Sequence, residues 1–264
     1  MVVDAHTAAR YWRPELGRVL RAWAAGYVVL TTIFLAVGFF LTRVLWDLGL
    51  DTVDGGISHW FARNRSSAAN HVASVMSETG NTVPIIVVAA LLTVALARER
   101  RWHAAAVPAV ALTLELAVFL TTNYVVARAR PDVPIGPAPS TYSYPSGHSA
   151  AAVALYAGGA VLAARYAWPW FVRGVADAAA VLVPAGVGLA RVYEGMHFTS
   201  DVLAGYALGA GSLATALVAT RLVRPGRSLV VETARDREEV EETEQATQRE
   251  QHEHDRRQPV HPHH

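Results

Sequence analysis

Three short stretches of this chain hold residue types that could do chemistry on an anion. The first runs from Asn123 through Arg128 to Arg130-Pro131, the second is Pro145-Ser146-Gly147-His148, and the third is Ala190-Arg191 followed by His197 and Asp201. Arginine offers a planar fork of donors that matches a pair of phosphate oxygens. Ser146 and Gly147 directly before an apolar run read as a helix start, with Ser146 as its cap and free backbone N–H groups able to hold an anion. Asp201 follows His197 by four residues. One helical turn, capped by Thr199 or Ser200, is expected to bring its carboxylate against a ring nitrogen. That contact would fix the tautomer and leave the other nitrogen as a nucleophile. With His148 as proton donor, the set makes a phosphoryl-transfer apparatus. Taken singly, Pro-Ser-Gly is an ordinary helix start, Arg-Pro an interfacial anchor, and His197 with Asp201 a cap pair. The conjunction, in this order and on one face, carries the chemistry.

The elements that must position these residues are membrane spans. The 264 residues are 52% hydrophobic and only 17% charged. Windows near the roughly 20 apolar residues needed to cross a bilayer recur at 22–42, 82–97, 104–127, 148–167, 171–190 and 199–220. The reading is an all-α, polytopic bundle of six transmembrane helices. The second window is short and must borrow residues from a flank. The first, led by Arg10, Arg13, Arg18 and Arg21, is too long for a cleaved signal peptide and reads as a retained span. The 43–81 connection, with Ile57, Trp60, Phe61, Val72, Val75 and Met76 at partly helical spacing, reads as an interfacial helical segment.

All 23 basic residues are arginine, and cysteine is absent, which excludes thiolate nucleophiles, cysteine metal sites and disulfides. A net charge of +1 argues against a nucleic-acid partner. The N-terminal arginines, Arg98 with Arg100 and Arg101, Arg165 with Arg173, and Arg221, Arg224 and Arg227 fall on one side of the six-span layout. That side is expected to be cytoplasmic, with both termini in the cytoplasm of a plasma-membrane protein. All three reactive stretches then face outward. Three regions follow: a cytoplasmic segment 1–21, a membrane domain 22–223 and a charged, disordered tail 224–264. The tail histidines are read as solvated rather than metal-binding. Glu115 lies about 12 Å deeper than Asn123 by helical rise and is read as paired inside the bundle.

The same residues resemble a known signature. Asn123-x6-Arg130-Pro131, Pro145-Ser146-Gly147-His148 and Ala190-Arg191-x5-His197-x3-Asp201 are similar to the three motifs of the type 2 phosphatidic acid phosphatase superfamily, which includes undecaprenyl diphosphatases and is related to vanadium haloperoxidases. The resemblance spans roughly residues 50 to 220. It implies a phosphohydrolase that uses no metal and no cofactor. Carried over by position, Arg130 and Arg191 bind phosphoryl oxygens, and Ser146 with the Gly147 amide completes the cradle. His148 is the general acid, His197 forms the phosphohistidine, and Asp201 orients it. Asn123 stands where the family has lysine and Ala190 where it has serine, and Arg128 is the candidate to supply the missing charge. A site at headgroup depth implies a lipid phosphate substrate held by the bilayer: phosphatidic acid, undecaprenyl diphosphate or phosphatidylglycerol phosphate. A phosphotransferase of the same chemistry and a non-catalytic lipid-phosphate binder are the alternatives.

Overall fold

The computed structural model describes residues 5–137 and 140–222. The expected tail 224–264, with its histidines, lies outside the described residues. Among the described residues nine α-helices follow in order: α1 (Ala5–Phe39), α2 (Asp51–Arg63), α3 (Ser67–Thr79), α4 (Thr82–Arg98), α5 (Trp102–Val126), α6 (Gly147–Ala152), α7 (Gly158–Arg165), α8 (Trp170–Tyr193) and α9 (Thr199–Leu222). Wider π-helical turns at Phe40–Leu50 and Val153–Ala157 join α1 to α2 and α6 to α7. Among the described residues there is no strand.

Among the described residues, five helical runs are long and apolar enough to cross a bilayer, and the α3–α4 pair, bent by 48° between them, makes a sixth if it crosses as one broken span. The architecture is therefore the all-helical, polytopic membrane bundle read from the sequence. The short second window borrows its missing length from α3, across a break at Gly80-Asn81. The first span continues without a loop into α2 and bends at Gly49, whose φ of 104° suits a residue without Cβ. Ser66 starts α3 by accepting the Ala69 N–H at 3.2 Å.

Large apolar side chains point outward along the spans, with Trp170 84%, Val83 71% and Leu182 68% exposed. Such a surface is stable in lipid and costly in water. Inside, α5 and α9 pack against each other and against α1, while α6 to α8 complete the bundle. Small residues let α9 approach α6 closely: a Cβ on Gly205 would lie 2.4 Å from the Ser146 carbonyl oxygen, and one on Gly209 would lie 2.2 Å from that of Ala150. This Gly-x-x-x-Gly face seats α6, whose start carries His148. At one end of the bundle, Arg101 joins the α4–α5 and α7–α8 links, stacking over the Tyr166 ring at 4.1 Å. The 127–146 and 194–198 connections meet at the other, where the Ile135 N–H donates to the Glu194 carbonyl at 2.7 Å.

Candidate active site

A cavity of about 350 Å³ opens between α4, α5 and the start of α6, lined at one end by Arg130, Gly147, His148, Arg191 and His197. Five of the nine site residues expected from the sequence thus meet in one place. Its remaining walls include Ile85 and Ile86 of α4 and Leu112, Leu116 and Phe119 of α5.

His197 is 3% exposed, in the tight link between α8 and α9. Gly195 makes that link possible, with a φ of 70° and no room for a Cβ against the Val133 carbonyl. The His197 Nδ1–H donates to the Ser143 carbonyl at 2.7 Å, so Nε2 keeps its lone pair. Arg130 Nη1 stands 3.4 Å from Nε2. Burial, reinforced by Arg191 and Arg130, holds the His197 imidazole well below its ordinary titration range. The ring is neutral, with its free nitrogen beside an arginine.

Arg130 is fixed by neutral acceptors alone: the carbonyls of Thr141 at 2.9 Å, Tyr142 at 2.9 Å and Met196, and the Thr141 hydroxyl at 3.0 Å. These orient its guanidinium and leave its charge uncancelled. Burial and Arg191 lower its pKa to about 10, so it remains a cation. Arg191 donates to Ser77 Oγ at 2.9 Å and pairs with Glu194 at 3.1 Å, while its Nε has no partner. A tetrahedral oxyanion between the two arginines would meet a net positive cradle. Gly147 lies under Phe119, where an added Cβ would be 3.1 Å from the ring.

His148 Nε2 lies 2.7 Å from Asn81 Oδ1. Asn81 donates its Nδ2–H to Glu78 at 2.7 Å, which turns Oδ1 toward the ring, so Nε2 carries the hydrogen. Asn81, Ser77, Ser143 and Glu194 were not anticipated. Asn81, Ser77 and Ser143 act across long sequence separations, and Glu194, three residues from Arg191, sits in a link whose path the spacing did not reveal.

Several expected placements differ in the structure. Asp201 does not touch the His197 ring: at the third position of α9 its Oδ2 reaches back to the Phe198 N–H at 2.9 Å, the carboxylate half of a capping box, and Oδ1 pairs with Arg128 at 2.5 Å. Neither Thr199 nor Ser200 caps the helix. Arg128 does not line the cavity: its guanidinium is buried between Asp201 and Asp54, the latter at 3.0 Å, with the Phe198 ring 4.5 Å away. Asn123 is fully buried and clamps the loop instead, donating to the Tyr142 and Tyr144 carbonyls at 2.9 and 3.0 Å and accepting the Tyr142 N–H at 3.0 Å. The Ser146 hydroxyl makes no cap and faces Ser149 Oγ at 3.0 Å. Glu115, expected to be paired, has an oxygen without a partner.

Comparison with known proteins places this geometry among relatives. The sequence profile of the PAP2 superfamily matches residues 104–224. A phosphatidylglycerophosphatase B of Bacillus subtilis is 37% identical over 32% of this chain and 42% of its own length. A lipid A 1-phosphatase of Rhizobium johnstonii is 36% identical over 36% of this chain and 40% of its own. The chain thus spans about two fifths of the length of these two relatives. An undecaprenyl-diphosphatase of Sulfolobus acidocaldarius is 31% identical over 55% of this chain and 68% of its own. The crystal structure of a transmembrane PAP2 type phosphatidylglycerolphosphate phosphatase from Bacillus subtilis matches with a TM-score of 0.64 and 21% identity, over 76% of this chain and 98% of that one.

Proposed function

This chain belongs to the PAP2 superfamily, and on that premise we propose that it is a phosphatase that hydrolyses a lipid phosphate monoester or diphosphate through a phosphohistidine. The observation that carries the reading is the pairing of a buried, neutral His197, its Nε2 free, with two arginines on one cavity. The lone pair of Nε2 attacks phosphorus, and the bond to the leaving oxygen breaks. His148, entering as the imidazolium with its Nε2–H held by Asn81, gives that oxygen its other ring proton. Water then attacks the phosphohistidine, the P–N bond breaks back to Nε2, and the proton lost by water returns to His148. Arg130 and Arg191 hold the equatorial oxygens where charge develops. Asp201 is a positioning residue, acting through Arg128 and the Phe198 amide. The membrane domain 22–223 would carry the whole activity.

The apolar walls of the cavity support a lipid substrate, since a chain anchored in the bilayer arrives with its phosphate oriented. The arginine distribution supports an outward-facing site in the plasma membrane. The test is release of inorganic phosphate from phosphatidic acid, phosphatidylglycerol phosphate and undecaprenyl diphosphate by the purified protein in detergent, with and without chelator. His197→Ala should fall to background and chelator should change nothing. Turnover surviving in His197→Ala, or restored to chelated enzyme by a divalent metal, would sink the mechanism.

A further inference from the structure

Among the described residues, Glu115 is the one ionisable side chain on the cavity wall away from the phosphate end, and it is 4% exposed. Its Oε1 has no hydrogen-bond partner, and no ion pair of Glu115 occurs among the described residues. The wall around it, Ile85, Ile86, Leu112, Leu116 and Phe119, offers no donor. A polar oxygen buried in apolar surroundings is costly unless something satisfies it, and a carboxyl inside a span marks a functional site by default.

The height of Glu115 indicates what could satisfy it. Phe119 abuts Gly147 at the mouth of α6. Glu115 lies one helical turn below it, about 6 Å by rise, level with Ala151, which lines the same cavity one turn below Gly147. With a phosphate held by Arg130 and Arg191, the carboxyl borders the first few bonds of the lipid beyond the phosphate. We propose that Glu115 is a specificity-determining residue that accepts a hydrogen bond from a hydroxyl on that part of the lipid. The site then favours phosphates of hydroxylated lipids over polyprenyl phosphates, whose chain is hydrocarbon from the phosphate onward. A hydroxyl fits better than an ester carbonyl because it can donate to Oε1. This inference rests on the phosphatase reading.

The experiment compares two probes differing by one group, 1-acylglycerol 3-phosphate and its 2-deoxy counterpart, in mixed micelles with the full chain, E115Q and E115L. The ratio of their kcat/KM values within one preparation does not depend on how much enzyme is folded. The parent should prefer the hydroxylated probe by about tenfold or more. E115Q, which keeps an acceptor oxygen, should retain most of that preference. E115L should bring the ratio close to one, with the loss falling on the hydroxylated probe. Equal rates in the parent, or an unchanged ratio in E115L, would overturn the inference and leave the phosphatase reading standing. Absence of His197-dependent turnover of either probe would overturn both.

Discussion

Arg128 and Arg130 differ in their partners, and the partners decide their roles. Arg128 is neutralised by Asp54 and Asp201, whereas Arg130 is held by uncharged oxygens and keeps its charge for an anion. Removing one member of a buried ion network strands the others, so Arg128→Ala should cost about 3–5 kcal/mol of stability, read as a lower melting temperature in detergent. Restoring the family lysine should not help: Asn123→Lys forces a cation into a fully buried clamp and leaves the loop carbonyls unsatisfied. It should cost about 3 kcal/mol or more and lower kcat/KM, with no rescue in the Arg128→Ala background. A gain in kcat/KM from Asn123→Lys would mean that position 123 can reach the phosphate. The His197 pKa gives a second expectation. A nucleophile that must be neutral loses activity as pH falls through its folded pKa, here depressed below the ordinary value near 6.5. Arg130→Gln removes one of the charges that depress it. With one substrate for both enzymes, the acid limb of the normalised kcat/KM profile should move to higher pH in the variant. An unmoved limb would mean that His197 does not set it.

The elements were largely legible from composition and spacing, and the side-chain directions were not. Each apolar window corresponds to a helical run because its length and hydropathy are local properties. The break at Gly80-Asn81 puts Asn81 beside His148 across 67 residues, and Ser143 meets His197 across 54; no local pattern encodes either contact. The described parts of the 127–146 connection are irregular, so their course depends on long-range ties such as Asn123 to Tyr142 and Ser143 to the Arg128 carbonyl. This is why five of the expected residues meet on one cavity while Arg128, Asn123 and the Ser146 hydroxyl have surroundings other than those expected. The α6–α9 contact is a property of the pair of helices, and it can be broken by a single methyl. Gly209→Ala places Cβ against the Ala150 carbonyl, where backbone must move. Overpacking of this kind typically costs about 1–3 kcal/mol. Because α6 carries His148, kcat should fall as well as melting temperature. A variant of unchanged stability would show that α9 can slide past α6 freely.

At the scale of the whole molecule the arginines decide orientation. The site end carries Arg128 and Arg130, in the 127–146 connection, and Arg191, in the last turn of α8, which a simple count would set against an outward-facing site. All three are bonded within the fold, to carboxylates, carbonyls or Ser77, so a functional and structural use accounts for them. At the opposite end Arg98, Arg100, Arg165 and Arg173 are exposed. Arginines in short links favour the cytoplasmic side of a bundle, while acidic residues contribute little, and this supports the proposed outward-facing site. The chain contains no cysteine, so single introduced thiols report sidedness without background. Ser140→Cys, beside the site, should react with a membrane-impermeant maleimide in intact cells. Glu99→Cys, in the α4–α5 link among those arginines, should react only after the membrane is permeabilised. The reverse pattern would turn the site to the cytoplasm, and its substrate would then have to be a lipid phosphate presented on the inner leaflet.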